Sequence, residues 1–308
     1  MSDYRAISVP EGVAGERLDA AMARMFGLSR TKAADLIDGR NVTVNSAVAI
    51  RSARVAEGDY LEVTFPAERD ALEIVPQEIE GFSVLYDDDD VVVIEKPVGV
   101  AAHPSQGWDG PTVLGGLAGL GYRIATGGAP ERQGIVHRLD VGTSGIMAVA
   151  KSEWAYSHLK QQFRDRTVDK IYHALIQGRL DPLKGTIDAP IGRHPHHDFK
   201  FAVMTGGRDS VTHYETIEAF AHASLLEIHL ETGRTHQIRV HMSAMRHPCV
   251  GDEMYGADPT LSAKLKLQRQ WLHACELEFE HPSSGQRMRF HSDYADDLQF
   301  ALDAIRDL

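Results

Sequence analysis

The first part of the chain alternates between helical and strand-like patterns. In residues 16–26, ERLDAAMARMF, apolar side chains recur at the spacing of one helix face. SRTKAADLIDGR predicts a second helix, with Ser29 as its N-cap and Gly39 at its end. NVTVN and GDYLEVTF then alternate as two short strands would. The pattern predicts a small α/β domain over residues 1–66.

The pattern changes after this domain. PAERDALEIVPQEIE carries two prolines and several acids, which predicts a linker over residues 67–81. From residue 82 the apolar positions follow strand periods in SVLY, VVVIEKP, DKIYHALIQG, SVTHYETIEAF, ASLLEIHLETG, LHACELEFEHP and QRMRFHS. Helices are predicted for SEWAYSHLKQQFRDR with Ser152 as cap, GRTHQIRVHMSAM and DYADDLQFALDAIRDL. Because the strands mostly follow one another directly, the pattern predicts an α+β domain with a mainly antiparallel sheet over residues 82–308.

One stretch of this second domain is unusual. In IVHRLDVGTSGIMAVAK, two apolar runs predict buried strands, Ile135-Val136 and residues 146–150. Between them lie Arg138 and Asp140, although a charge close to a core must be paired or functional. The local pattern leaves two interpretations open, a structural ion pair and a catalytic carboxylate.

Composition and charge restrict the class of protein. Hydrophobic residues make up 43% of the 308 residues and charged residues 25%, values of an ordinary soluble globular protein. No apolar run is long enough to cross a bilayer, and the N-terminus lacks the apolar region of a signal peptide. Two cysteines form no disulfide framework. We expect a cytoplasmic protein that binds no membrane.

A formal net charge of −12 argues against a nucleic-acid partner only if the charges are spread evenly. Residues 132–179 contain eight Lys or Arg against four Asp or Glu. A local basic face is therefore compatible with the acidic chain.

The chain contains 16 histidines, and His194, His196 and His197 lie close together around a proline. A metal site would need converging ligands, which adjacent residues of a proline-broken loop rarely provide. We expect a surface loop and no metal. His236 and His241 flank Arg239 in THQIRVH, and we expect them to orient that arginine.

The first domain resembles the S-four RNA-binding module, through RLD, SRTKAADLI, GRNVTVN and EGDYLEV in this order. The resemblance implies that Arg30, Lys32 and Arg40 contact RNA phosphates. The sequence departs from the family at Asn45-Ser46-Ala47, where the turn usually continues Asn-Gly-Lys. One expected cation is therefore missing.

Residues 82–292 resemble the RluA-type pseudouridine synthases. The resemblance is carried by GVAAHPSQ, HRLDVGTSG, DKIYHAL, TGRTHQIRVH and LHACELEFEHP, in this order. One departure is Gly110-Pro111-Thr112, where glycine usually directly precedes the threonine. The resemblance implies an α+β catalytic domain that isomerises uridine to pseudouridine in RNA.

The same resemblance implies a role for several residues. Asp140 matches the essential aspartate, which acts as nucleophile or as base at the sugar, and Arg239 matches its arginine partner. Tyr172 matches the aromatic that stacks on the target uracil. Arg138 matches the side chain that fills the place of the flipped base, and Thr143 is a hydrogen-bonding residue of the loop. The isomerisation involves no redox change, so no cofactor or metal is expected.

We interpret the chain as a monomeric RNA pseudouridine synthase acting on ribosomal large-subunit RNA. Two other functions are weighed against it. An RNA-binding protein without catalysis would be expected to lack Asp140, Tyr172 or Arg239, and all three are present. A carboxylate-based hydrolase usually needs a second acid, and the matching segments offer none.

Overall fold

The computed structural model describes residues 3–65, 74–105, 107–197 and 199–308. Two compact units divide the chain, residues 1–71 and residues 72–308. Residues 67–73 of the predicted linker lie outside the described residues. The rest of that predicted linker belongs to the second unit, since Ile74 and Ile79 pack on its core and the Gln77 amide donates to the Gly115 carbonyl at 2.9 Å. The linker was therefore predicted too long.

The first unit is an antiparallel sheet with two helices. Its elements are β1 (Asp3–Ser8), α1 (Leu18–Phe26), α2 (Arg30–Asp38), β2 (Val42–Val44), β3 (Ala47–Val48) and β4 (Tyr60–Phe65). The strand order is β1-β4-β2-β3. Leu18, Met22 and Leu61 lie fully buried between the helices and the sheet.

The ends of the two helices follow the local sequence. The Ser29 side chain accepts a hydrogen bond from the Lys32 amide at 3.1 Å, and α2 ends at Gly39, as predicted. Gly27 ends α1 in the left-handed conformation. Strand β1 was not predicted, because DYRAIS has no clear alternation. It forms by pairing with β4 from Asp3↔Phe65 to Ser8↔Tyr60.

The second unit is larger and built around one sheet. Its first elements are β5 (Ser83–Asp87), β6 (Val91–Lys96), α3 (Val113–Gly119), β7 (Ser144–Ala150), α4 (Glu153–Asp165), β8 (Asp169–Gln177), β9 (Lys184–Asp188), β10 (Ile191–Arg193) and β11 (Phe201–Val203). The others are β12 (Val211–Ala219), β13 (Ala223–Leu230), α5 (Gln237–Ala244), α6 (Pro259–Lys264), β14 (Leu272–Glu280), β15 (Arg287–His291) and α7 (Asp296–Arg306).

The strand order of the main sheet is β5-β6-β7-β14-β8-β13-β12-β9, with β15 also paired to β14. Among the described strands of this sheet, β7 and β14 are parallel and the other pairs are antiparallel. The predicted α+β fold with a mainly antiparallel sheet is confirmed. Helix α4 begins after Ser152, whose side chain accepts from the Ala155 amide, as predicted.

One predicted strand is wrong. Ile135 and Val136 form no strand, and Ile135 makes a single bridge to Val149. Both side chains are nevertheless buried, which explains their apolar character. Residues 146–150 do lie in a strand, β7, in which all residues are buried. The polar segment between the two apolar runs is thus a loop that enters the centre of the sheet.

No helix among the described residues is long and apolar enough to span a membrane.

Candidate active site

A cavity of about 530 Å³ opens on one side of the second unit. Its wall combines the loop at residues 135–140, Tyr172 of β8, the C-terminal half of α4, the loop at residues 230–236 and the start of α5. The segments that were singled out in the sequence therefore meet around one space.

Positive charge dominates the wall of this cavity. Among the described residues that line it, the cations are Arg132, Arg138, Lys160, Arg164, Arg166, Lys170, Arg234 and Arg239, and the acids are Asp140 and Glu231. The local basic face expected from residues 132–179 is therefore present on an acidic chain. Such a concave basic surface favours a polyanion.

Asp140 lies at the C-terminal end of the first cavity loop. Its carboxylate is largely buried, with 14% of the side chain exposed. The Asp140 carbonyl accepts a hydrogen bond from the Thr143 amide at 3.0 Å, which closes a tight turn. Gln270 donates to the buried Thr143 hydroxyl at 3.3 Å. Thr143 therefore shapes the loop, and it also lines the cavity.

Two buried basic side chains hold the loop after Asp140. Arg269 donates to the Gly142 carbonyl at 3.2 Å and to the Ser144 hydroxyl at 3.0 Å. The fully buried Lys96 donates to the Val100 carbonyl at 2.8 Å and to the Val141 carbonyl at 3.5 Å. Burial lowers the pKa of Lys96 to about 7, although the charge of Asp140 opposes the shift. Neither side chain was singled out in the sequence, which offers no pattern that marks a buried lysine.

Arg239 lies on the first turn of α5 and faces Asp140. Its Nη1 lies 3.4 Å from Oδ2 of Asp140, as the sequence resemblance implied. A second carboxylate binds it more closely, because Asp252 accepts from Nε at 2.6 Å and from Nη2 at 2.9 Å. Burial alone would lower the pKa of Arg239, but the hydrogen bonds and charge of Asp252, together with Asp140, raise it. Arg239 is therefore a permanent cation between two acids.

Asp252 is a further site residue that was not singled out in the sequence. It lies in GDEMYG, immediately before a short 3₁₀ helix, Glu253–Tyr255. A single sequence shows only a loop acid there, with nothing that links it to Arg239. The expectation of no second acid concerned only the segments that carry the resemblance, and Asp252 lies outside them. Since Asp252 is bound to Arg239 and does not line the cavity, it does not supply the second carboxylate of a hydrolase.

Tyr172 reaches the cavity from the middle of β8. It is 8% exposed, and burial, followed by the negative charge of Asp140, raises the pKa of its phenol. The hydroxyl is therefore protonated at neutral pH. A flat, neutral ring beside a carboxylate can stack on a base and donate a hydrogen bond.

The histidines that flank Arg239 have different surroundings. His236 is the N-cap of α5, with φ of 56°, and its Nε2 lies 4.0 Å from Oδ2 of Asp140. Its Nδ1 lies 2.8 Å from the Tyr255 hydroxyl. Burial lowers the pKa of His236, so a neutral ring is favoured. His241 instead contacts Thr212 and the Ala189 carbonyl, which fixes α5 against the sheet.

Arg138 is exposed at the cavity wall. The neighbouring His137 stacks on the Phe163 ring with 4.7 Å between centroids, and its Nε2 accepts from the Ala148 amide at 3.0 Å. Burial lowers the pKa of His137 to about 3, consistent with an accepting nitrogen. A neutral, anchored His137 thus fixes the backbone from which Arg138 projects.

The other predicted binding residues lie in the first unit. Arg30, Lys32 and Arg40 are all exposed around α2. Nη2 of Arg30 lies 3.4 Å from Oδ2 of Asp19, and 66% of the Arg30 side chain is exposed. They form no part of the cavity of the second unit.

In the described part of the chain, no three His, Cys, Asp or Glu side chains are arranged to hold a metal ion. The rings of His194 and His197 lie near each other, at 4.8 Å between centroids, in the turn that joins β10 to β11. The expectation that the reaction needs no metal or cofactor stays a prediction.

Comparison with known proteins identifies this arrangement. The sequence model of a family described as RNA pseudouridylate synthase matches residues 90–244, half of the chain. The chain belongs to this family. The matched residues include the Asp140 loop, Tyr172 and Arg239. The predicted RluA-type membership is confirmed, and the protein is an RNA pseudouridine synthase, an isomerase with an RNA substrate.

Relatives cover nearly the whole synthase. It is 58% identical to an uncharacterized RNA pseudouridine synthase of Mycobacterium bovis, over 98% of both chains. It is 41% identical to the ribosomal large subunit pseudouridine synthase D of Nitrosomonas europaea, over 98% of this chain and 88% of the relative. The alternative of an RNA-binding protein without catalysis finds no support among them.

Solved structures agree on the fold of the synthase. Human RNA pseudouridylate synthase domain containing 1 has a TM-score of 0.58 and 26% identity, covering 73% of this chain and 89% of that one. The human domain containing 4 has a TM-score of 0.56 at 22% identity, covering 73% and 93%. The latter likeness concerns the fold alone.

Proposed function

We propose that this synthase isomerises uridines of ribosomal large-subunit RNA, with Asp140 as the nucleophile or base at the sugar. The observation that carries the proposal is a largely buried carboxylate in a basic cavity, 3.4 Å from a permanent cation. The cations draw in the RNA backbone, and the acid can act on a sugar that enters between them.

Ribosomal large-subunit RNA is proposed as the substrate for two reasons. Relatives of about 40% identity, from Nitrosomonas europaea and Xanthomonas campestris, carry this RNA in their names. In addition, the first unit presents the exposed cations Arg30, Lys32 and Arg40, which can bind RNA phosphates. A large folded RNA offers contacts to both units.

The reaction needs few groups. The bond between C1′ of the ribose and N1 of uracil breaks, the base turns, and C1′ joins C5. The proton on C5 then leaves, and N1 ends with a proton. Asp140 can open the first step by attack on the sugar or by removal of a sugar proton. Both routes need the ionised carboxylate, which the Arg239 guanidinium favours.

Two further side chains would hold the base during the reaction. The Tyr172 ring offers a stacking surface, and its protonated hydroxyl offers a hydrogen bond to the turning uracil. The cavity is entered by a base that has left its helix, and the exposed Arg138 can occupy the vacated position. We assign no cofactor to the reaction. We also propose that the enzyme acts as a cytoplasmic monomer, because one chain supplies all the groups assigned here.

Asp140→Asn tests the assignment directly. The substitution keeps the shape of the side chain and removes the charge and the reactive oxygen, which typically costs several powers of ten in rate. We expect no detectable pseudouridine in transcribed 23S RNA fragments by carbodiimide-dependent reverse-transcription stops, and an RNA affinity within about tenfold of wild type.

Asp89→Asn is the matched control, because Asp89 is exposed in the turn before β6 and does not line the cavity. It should retain full activity. A tenth of the normal rate in Asp140→Asn would show that Asp140 is only a structural charge. Full activity on transfer RNA but none on large-subunit fragments would refute the proposed substrate while leaving the chemistry intact.

A further inference from the structure

Asp252 makes a more complete contact with Arg239 than Asp140 does. Asp252 accepts from two guanidinium nitrogens, Nε at 2.6 Å and Nη2 at 2.9 Å. Asp140 is reached by Nη1 alone, at 3.4 Å. A guanidinium has a rigid planar fork, so a carboxylate that takes Nε and Nη2 also fixes where Nη1 points.

The contact with Asp252 lies away from the cavity. The side chain of Asp252 is 1% exposed, against 14% for Asp140. An isolated buried carboxylate is strongly disfavoured, so Asp252 needs Arg239 as its counter-ion. The positive charge of Arg239 is therefore shared between two acids.

The backbone around Asp252 is firmly held. The Asp252 amide donates to the Cys249 carbonyl at 3.0 Å, and the Asp252 carbonyl accepts from the amides of Tyr255 and Ala257. The Tyr255 ring lies beside the guanidinium of Arg239, 4.9 Å from its central carbon. Its hydroxyl accepts from the Phe201 amide at 3.0 Å. Asp252 and Tyr255 thus hold the Arg239 guanidinium on the side that faces away from the cavity.

We propose that Asp252 is a positioning residue, which aims Nη1 of Arg239 at Asp140 and prevents Arg239 from closing on Asp140 as a two-pronged ion pair. The inference rests on the proposed role of Asp140. A two-pronged pair would bind both carboxylate oxygens and stabilise the anion, which weakens it as a nucleophile or base. With Asp252 in place, Asp140 is kept charged and one of its oxygens is left for the sugar.

Removal of the negative charge at Asp252 should change Asp140 in a defined direction. In Asp252→Asn, Arg239 loses its competing acid and can turn fully to Asp140. Stronger pairing occupies both oxygens of Asp140 and makes the carboxylate a weaker nucleophile or base, so the chemical step should slow while RNA binding is kept. Loss of folded protein alone would instead lower the amount of RNA bound and leave the rate per bound complex unchanged.

Other groups that face Asp140 are unchanged in this variant. Lys96 lies on β6, Tyr172 on β8, and His236 at the start of α5. The negative charge of Asp140 raises the pKa of each of them. Arg138 lies two residues from Asp140 in the same loop. The charge of Asp140 also contributes to the raised pKa of Tyr255. Since these groups are common to wild type and variant, the difference between the two rates reports on Asp252.

The experiment compares the rate of single-turnover pseudouridine formation at saturating enzyme, and the RNA affinity, in wild type, Asp252→Asn and Glu218→Gln. Glu218 forms a similar two-pronged pair with Arg306, at 3.2 and 2.8 Å, and does not line the cavity. We expect a maximal rate about 10- to 100-fold lower in Asp252→Asn. RNA affinity should stay within about threefold, and Glu218→Gln should match wild type.

A wild-type rate, or a loss of RNA affinity as large as the loss of rate, in folded Asp252→Asn overturns the inference. The proposed function is tested separately by Asp140→Asn, because an active Asp140→Asn would refute the role of Asp140 whatever Asp252 does. If Asp252→Asn does not fold, the crystal structure of Asp140→Asn decides. The guanidinium of Arg239 should remain on Asp252 with Nη1 unmoved, and a guanidinium that leaves Asp252 refutes the positioning role.

Discussion

Gly145 and Ala274 approach each other so closely that no other residue fits at position 145. A Cβ on Gly145 would lie 2.3 Å from the Ala274 carbonyl oxygen, and the backbone has φ of +116°. This contact is where β7 and β14 meet in their parallel pairing, Ala274↔Gly145. The close approach places the loop that carries Asp140 against the centre of the sheet.

Gly145→Ala should therefore destabilise the synthase. Both the backbone strain and the clash with main-chain atoms contribute, and we expect a loss of at least about 2 kcal/mol in the free energy of unfolding. Urea denaturation followed by circular dichroism measures it. Gly233→Ala is the control, because a Cβ at Gly233 meets no atom within 4 Å. Equal stability of the two variants would contradict the importance of the contact.

The acid stability of the second unit should depend on His273. This side chain is fully buried between the Ser144 and Ser292 hydroxyls, each at 2.9 Å. Burial, together with the nearby Arg269 charge, lowers the pKa of His273 to about 4. Between about pH 6.5 and pH 4 the unfolded chain then binds one more proton than the folded chain, so stability falls as the pH falls.

His273→Gln removes this proton and keeps a side chain that can bond both serines. The slope of unfolding free energy against pH should decrease by as much as about 1.4 kcal/mol per pH unit between pH 6 and pH 4.5. Urea unfolding at several pH values measures both slopes. Parallel curves for variant and wild type would show that His273 is already protonated in the folded state.

Arg239→Lys should be a poor enzyme although the charge is kept. A lysine provides one compact ammonium, which cannot contact Asp252 with two nitrogens and Asp140 with a third. We expect the rate of single-turnover pseudouridine formation to fall at least about 100-fold. Lower thermal stability is also expected, because Asp252 loses a hydrogen bond in a buried position. A wild-type rate would show that the planar fork is not needed.

The sequence predicted those parts of the synthase that have local causes. Ser29 and Ser152 cap helices because a serine before a helical stripe can bond the free amides there. Asp140, Tyr172 and Arg239 were identified through resemblance, and they line one cavity. The assignment of their catalytic roles stays a proposal.

The rest depended on contacts between distant parts of the chain. In the sequence, Lys96 is simply the last residue of an apolar strand. The Val141 carbonyl reaches its ammonium only in the folded loop. Asp252 lies 13 residues from Arg239 beyond the end of a helix, so no periodicity links the two. Ile135-Val136 was predicted as a strand because burial alone produces an apolar run, whether or not the backbone pairs.

The exposed cations of the first unit lead to a prediction about RNA size. Arg30, Lys32 and Arg40 would contact phosphates without reading sequence, and each contact contributes about 0.7–0.9 to the salt dependence of log affinity. The triple change to alanine should therefore weaken binding to a long ribosomal fragment and reduce its salt slope by about two. The turnover of a short stem-loop bound only at the cavity should be unchanged.

Arg24→Ala provides the comparison within the same unit, since Arg24 is exposed but paired with Glu16. Affinity is measured by filter binding between 50 and 300 mM salt, and turnover on the stem-loop at saturating RNA. Because contacts to phosphates hold the RNA equally in the ground state and the transition state, they lower the dissociation constant and do not change the rate of the chemical step. Equal salt slopes in the triple variant and in Arg24→Ala would remove these cations from the RNA interface. A loss of turnover on the short stem-loop by a folded triple variant would instead mean that the first unit takes part in the reaction itself.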